Sequence, residues 1–142
     1  MYEYNCTVEK VVDGDTIDVV LDLGFDILYK SRVRLYGIDT PESRTRNKDE
    51  KARGKMAGAF LREAIEDGEK VVIQTKLKDS RGKFGRVLGD IVVDGMNLNK
   101  LMVKCHLAVA YHGQSKKDVE AEHMKNREIL IEKGIFNPEE VE

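Results

Sequence analysis

Between Tyr2 and Ile38 the chain runs through three strand-like stretches separated by turn signals, and this pattern constrains the fold more than any other feature of the chain. In YEYNCTVEK (2–10), Tyr2, Tyr4, Cys6 and Val8 share one face, and Glu3, Asn5, Thr7 and Glu9 share the other. A period of two marks a half-buried strand. Asp13-Gly14 is a hairpin turn signal. TIDVVLDL (16–23) follows, with Ile17, Val19, Leu21 and Leu23 on a common face. Gly24 supplies a second turn, and ILYKSRVRLYGI (27–38) reads as a third strand. The opening is a three-stranded meander.

Residues 44–55 are polar and basic and read as a mobile loop. Ala52, Met56, Ala59, Phe60 and Ala64 then recur at helical spacing, with Gly68 as the C-terminal cap. VVIQTKL (71–77) and VLGDIVV (87–93) are strands joined by the basic loop KDSRGKFGR (78–86). Asp94-Gly95 turns the chain into a short helix with Leu98, Leu101, Met102 and Cys105 on one side. Ser115 with Asp118 resembles a capping box for a last helix over roughly 116–132, which Gly134 ends. Three strands, a helix, two strands and two helices is the order of an OB-fold. The fold class expected is therefore α+β, a five-stranded Greek-key β-barrel with three α-helices. A mixed α+β sandwich fits nearly as well on pattern alone. At 142 residues the chain is expected to form one domain, 1–142, with a core over about 2–137 and an acidic tail at 138–142.

Several function classes drop out. No apolar run is long enough to cross a bilayer. MYEYNCTVEKVV lacks the basic and apolar regions of a secretory leader, so the expectation is either a cytoplasmic location or a sequence from which a leader has been trimmed. Cys6 and Cys105 suit two reduced, packed thiols better than a disulfide framework. No phosphate-loop or dinucleotide fingerprint occurs, which argues against a nucleotide cofactor. The net charge of −2 speaks against a nucleic-acid binder, but its distribution speaks for one. Residues 44–86 hold 13 basic and 7 acidic side chains, while 1–43 hold 4 and 9, and 118–142 hold 3 and 8. A local basic surface attracts phosphate whatever the overall sum.

Charges crowd the exit of the third strand, in VRLYGIDTPES (33–43). If that strand pairs with its neighbour, Asp39 can converge with Asp15 at one end of the barrel. Two aspartates, a backbone carbonyl near Asp39-Thr40, waters and a substrate phosphate would suit a hard divalent cation. The plain alternative is that Asp13 and Asp15 serve the turn and Asp39 caps a loop. Parity stands in the way, because Arg34 and Asp39 are five residues apart and face opposite sides of a regular strand. A twist or bulge at Gly37 would remove the conflict. Arg34 and Arg86 could each take a phosphate through two parallel hydrogen bonds, or equally an internal carboxylate. Glu42, stiffened by Pro41, could accept a proton from water. His106, His112 and His123 match no zinc spacing and read as surface or packed residues.

Together VVDGDT (11–16), RLYGIDTPE (34–42) and KFGR (83–86) resemble the staphylococcal nuclease, or thermonuclease, family. The similarity continues through the helix at 52–66, NLNKLMV, LAVAY and the closing GIF, and covers roughly residues 5–137. The resemblance implies an OB-fold barrel and a Ca²⁺-dependent phosphodiesterase acting on DNA and RNA, with single strands preferred. It implies that Asp15, Asp39 and the Thr40 carbonyl hold Ca²⁺. It further implies that Arg34 and Arg86 bind the scissile phosphate, that Glu42 activates or orients the attacking water, and that the products end in 3′-phosphates. Lys83 would contact phosphate and Tyr111 would stack on a base. Phe84 stands where the family often has a tyrosine, and Gly113 replaces a second one. The hairpin LDLGFDILYKS (21–31) is longer than in the secreted type member.

The rivals are an OB module that grips single strands without cutting, and a scaffold for protein partners. Single-strand binders rely on aromatic platforms, and this chain has nine aromatic residues, five Tyr and four Phe, with no Trp. A module that does not cut has no reason to keep Asp15, Arg34, Asp39, Glu42 and Arg86 together. The nuclease, acting as a monomer, is the reading expected.

Overall fold

The structure is a computed structural model that describes residues 2–76 and 86–141. Strands β1 (Glu3–Asp13), β2 (Thr16–Asp22) and β3 (Leu28–Leu35) form the expected meander. Strand β4 (Ile38–Asp39) is a short continuation past a turn, and helix α1 (Lys48–Asp67) follows. Strands β5 (Val71–Thr75), β6 (Val87–Val93) and β7 (Met96–Asn97) lead into helix α2 (Leu98–Lys104). Strand β8 (Val109–Ala110) and helix α3 (Lys116–Glu132) follow, with a short 3-10 turn over Pro138–Glu140 after them.

β1 is long enough to serve two partners, pairing with β2 over Cys6–Asp13 and with β5 over Glu3–Asn5. Its register shifts twice, between Val8 and Lys10 and between Val11 and Asp13. Such bulges bend a strand and let a sheet curl. The curled sheet closes where β3 meets β6 in parallel, Val33 opposite Val87 and Leu35 opposite Gly89. The result is a closed five-stranded β-barrel with three α-helices, an α+β fold of the OB type. Its interior is filled by Ile17, Val19, Leu21, Val33, Leu35, Ile73 and Ile91, and Ala57, Leu61, Leu98 and Met102 pack onto it from the helices.

Some expectations needed correction. The loop foreseen over 44–55 ends early, because Asn47 accepts a hydrogen bond from the Glu50 N–H and starts α1 at Lys48. The most buried positions of α1 are Arg53, Gly54, Ala57, Gly58 and Leu61, and Met56, Phe60 and Ala64 of the apolar series lie partly buried against the core beside them. Leu23 lies beyond the end of β2 and is exposed. The Asp13-Gly14 signal marks a real turn, but not because of backbone handedness. A Cβ on Gly14 would lie 2.7 Å from Ala57 Cβ and 3.0 Å from Thr40 Oγ1, so glycine there lets α1 and the Thr40 segment close over the hairpin. The capping of α3 by Ser115, which accepts from the Asp118 N–H at 3.1 Å, is as expected.

Candidate active site

The site begins with a bend. β3 stops at Leu35, and Gly37 takes φ = +76°, a conformation that costs glycine little. The chain then leaves the barrel as β4, which pairs with β8, Asp39 opposite Val109. The buried Asn99 fixes this bend by donating to the Tyr36 carbonyl at 2.9 Å, while the Tyr36 N–H donates to Gly89 O at 2.9 Å. The parity conflict between Arg34 and Asp39 disappears here, because the two residues no longer share one strand.

As a result, Arg34 Nη2 lies 3.5 Å from Asp15 Oδ2 and 3.7 Å from Asp39 Oδ1. Its Nη1 donates to the Leu35 carbonyl at 2.9 Å, which fixes the plane of the guanidinium. The Asp15 carboxylate is itself oriented. Oδ2 accepts from the Thr40 N–H at 3.2 Å and Oδ1 from Thr16 Oγ1 at 3.1 Å. Thr40 is buried and backed by Gly14. Asp15, Arg34, Asp39 and Thr40 therefore come together as the sequence suggested.

Glu42 leaves the same corner on an exposed segment, its N–H donating to Glu50 Oε2 at 3.2 Å. Partial burial of its carboxyl, followed by repulsion from Asp15, Asp13, Asp39 and Glu50, pushes its pKa upward. The segment is held from behind by α1. A Cβ at Gly54 would lie 2.6 Å from the Pro41 carbonyl oxygen and 2.7 Å from that of Glu42, so only glycine lets the helix press this close.

Arg86, just ahead of β6, lines an open groove of about 550 Å³ together with Asp13, Thr16, Arg32 and Arg44. Tyr111 is exposed beside the bend, its N–H donating to Gly37 O at 2.7 Å. Lys83 and Phe84 lie outside the described residues.

One participant escaped the sequence. His123 Nε2 lies 2.8 Å from Asp39 Oδ2, so this histidine from α3 holds the carboxylate oxygen that faces away from Arg34. Behind it, Asp49 of α1 accepts from Arg53 Nε at 2.8 Å and from Arg127 Nε at 3.0 Å, tying α3 to α1. His123 and Arg127 are four apart and share a helix face. That spacing was available as a signal, but not what the face meets.

The donor set can be tested against a metal. Among the described residues no three His, Cys, Asp or Glu side chains gather as a metal site. The carboxylates of Asp15 and Asp39 and the Thr40 carbonyl would offer oxygen donors only, a set that suits a hard divalent cation completing its shell with water and a phosphate.

Comparison with known proteins agrees with this geometry. The family model described as staphylococcal nuclease homologue matches residues 32–133. Endonuclease YncB of Bacillus subtilis (strain 168) is 33% identical over 108 residues, 75% of this chain and 48% of that protein. The SPbeta prophage-derived endonuclease YokF of the same organism is 35% identical over 106 residues, 74% of this chain and 34% of that protein. Endonuclease YhcR, also from that organism, is 30% identical over 115 residues, 77% of this chain and 9% of that protein. The chain spans less than half the length of each of these relatives. With the barrel, the bend at Gly37 and the match over 32–133 in hand, the chain belongs to the staphylococcal nuclease homologue family.

Proposed function

We propose that this chain is a Ca²⁺-dependent nuclease that hydrolyses phosphodiester bonds of DNA and RNA, prefers single strands and leaves 3′-phosphate ends. The observation that carries the reading is Arg34 held within 4 Å of both Asp15 and Asp39 across the Gly37 bend. A lone ion pair would need one carboxylate. Two carboxylates around one guanidinium make a centre able to take a cation and a phosphate side by side.

Asp15, Asp39 and the Thr40 carbonyl would hold the ion. When bound, it would polarise a phosphate oxygen and offset negative charge in the transition state. Arg34 and Arg86 would donate paired hydrogen bonds to the phosphate, and as fixed cations they stabilise charge without giving up a proton. Glu42 would orient the attacking water and take its proton. The bond from phosphorus to the 5′ oxygen then breaks and the phosphate stays on the 3′ side. Lys83 and Tyr111 would steady the neighbouring nucleotide, and Phe84 can offer it a ring face but no hydroxyl.

A time course of single-stranded DNA digestion, run with Ca²⁺ and with a chelator, tests the reading. Cleavage that needs Ca²⁺ and yields new 5′-hydroxyl ends, which a polynucleotide kinase labels without prior phosphatase treatment, is the expected result. Retarded but uncut DNA in every lane would overturn it and favour a binding module.

A further inference from the structure

The even-numbered residues of β3, Lys30, Arg32 and Arg34, share one outer face of the barrel, since Val33 and Leu35 between and beyond them are fully buried. The row therefore starts at the candidate centre and runs away from it. The groove that contains Arg86 follows the same line and is walled by Tyr29, Lys30, Arg32 and Arg44. Arg32 is already engaged, its Nε donating to Asp18 Oδ1 at 2.8 Å and its Nη2 to Oδ2 at 3.2 Å. Lys30 and Arg44 form no ion pair among the described residues. Asp13, the acidic residue of the groove, accepts a hydrogen bond from Ser43 Oγ. Among the described residues, Lys30 and Arg44 are thus the groove's cations that no carboxylate pairs with.

The far end of the row is as unusual as the near end. Gly24, Phe25 and Asp26 all take positive φ at the tip of the β2–β3 hairpin, at +85°, +56° and +61°. For a bulky residue such as Phe25 this is a strained conformation. It is held by the Gly24 N–H donating to Asp22 Oδ1 and by the Leu23 and Ile27 backbone bonds, each at 2.9 Å. The strain serves no burial, because Phe25 is 98% exposed and Leu28 is 68% exposed. From Arg34 to Leu28 the strand rises about 20 Å, the length of a few nucleotides.

We propose that this face is a second subsite, which holds the nucleotides flanking the scissile phosphate of a single strand. Lys30 and Arg44 take successive phosphates, and Phe25 stacks on a base. The proposal rests on the nuclease reading and deepens it. Charge and exposure select the occupant, because phosphates need cations, which line the groove, and bases need a flat apolar face, which the exposed Phe25 offers at the hairpin tip.

Fluorescence anisotropy in chelator, with a labelled dinucleotide and a labelled dodecamer of single-stranded DNA, tests it alongside the digestion assay. Native protein is expected to bind the dodecamer far more tightly. The variant Lys30→Ala/Arg44→Ala is expected to lose at least tenfold of that gain, with the salt slope reduced by about 0.7 for each phosphate no longer held. Phe25→Ala is expected to lose about tenfold without a change in salt slope. Far-ultraviolet circular dichroism checks that each variant folds, and Lys30→Glu offers a second route to the same loss. If native protein cuts with Ca²⁺ but the gain with length survives in all three variants, the subsite is wrong and the nuclease reading stands. If native protein neither cuts nor binds, the nuclease reading fails and the subsite falls with it.

Discussion

His123 shows what a single residue can add to a site whose other members sit close together in the chain. Its Nε2 lies on Asp39 Oδ2 at 2.8 Å, leaving Oδ1 turned toward Arg34. A carboxylate held at one oxygen offers the other to a cation in a fixed direction, and such outer partners are commonly worth ten- to hundredfold in metal affinity. Calorimetric titration with Ca²⁺ should therefore show at least about tenfold weaker binding for His123→Ala. His123→Gln, which keeps a donor, should recover part of it. Equal affinity in all three proteins would show that the contact packs α3 and does nothing for the carboxylate. Arg34, Asp39, Thr40 and Glu42 were legible in the sequence because nine residues contain them all. His123 was not, because 84 residues separate it from its partner and only the docking of α3 brings them together.

At the scale of elements, helix α1 explains both a success and a miss. Apolar periodicity found the helix and the core-facing Met56, Phe60 and Ala64, but it misplaced the start and passed over the most buried positions, which include Arg53, Gly54 and Gly58. Two of them are small so that the helix can touch backbone, and one is charged because it has a partner. Asp49 is that partner, and it also binds Arg127 of α3. Burial works against ionisation of Asp49, but hydrogen bonds from Arg53 and Arg127 outweigh it and hold the pKa below the usual carboxylate value. The folded pKa therefore lies below the unfolded value of about 3.9. Its stabilising contribution is complete above that value and is lost as pH falls through the folded pKa. Thermal melts should show Asp49→Asn roughly 2 kcal/mol less stable at neutral pH. The gap should narrow steadily below about pH 4. A gap that stays constant into acid would mean that the ionised carboxylate is not what joins α1 to α3.

For the whole molecule, the strand and helix order was enough to suggest the barrel but not how it closes. The parallel meeting of β3 with β6 joins residues more than fifty positions apart, and no local pattern announces it. That closure sets Arg86, at the entry to β6, against the groove beside β3. The Gly37 bend then brings β4 out to β8 and delivers Asp39 and Glu42 to the same end. Glycine at 37 was legible as a place where the strand could turn; the direction of the turn depends on Asn99 and Gly89, which lie far along the chain. Barrel, bend and helices thus converge on one corner, the place proposed for hydrolysis. The decisive experiment is single-turnover cleavage of single-stranded DNA in saturating Ca²⁺, comparing native protein with Glu42→Gln. Glu42 is exposed and its side chain supports no part of the core, so the variant should fold and bind normally. The rate should fall by roughly 10²–10⁴-fold, as expected for losing a group that handles a proton in the transition state. An unchanged rate would contradict that placement and send the search for the water-activating group elsewhere.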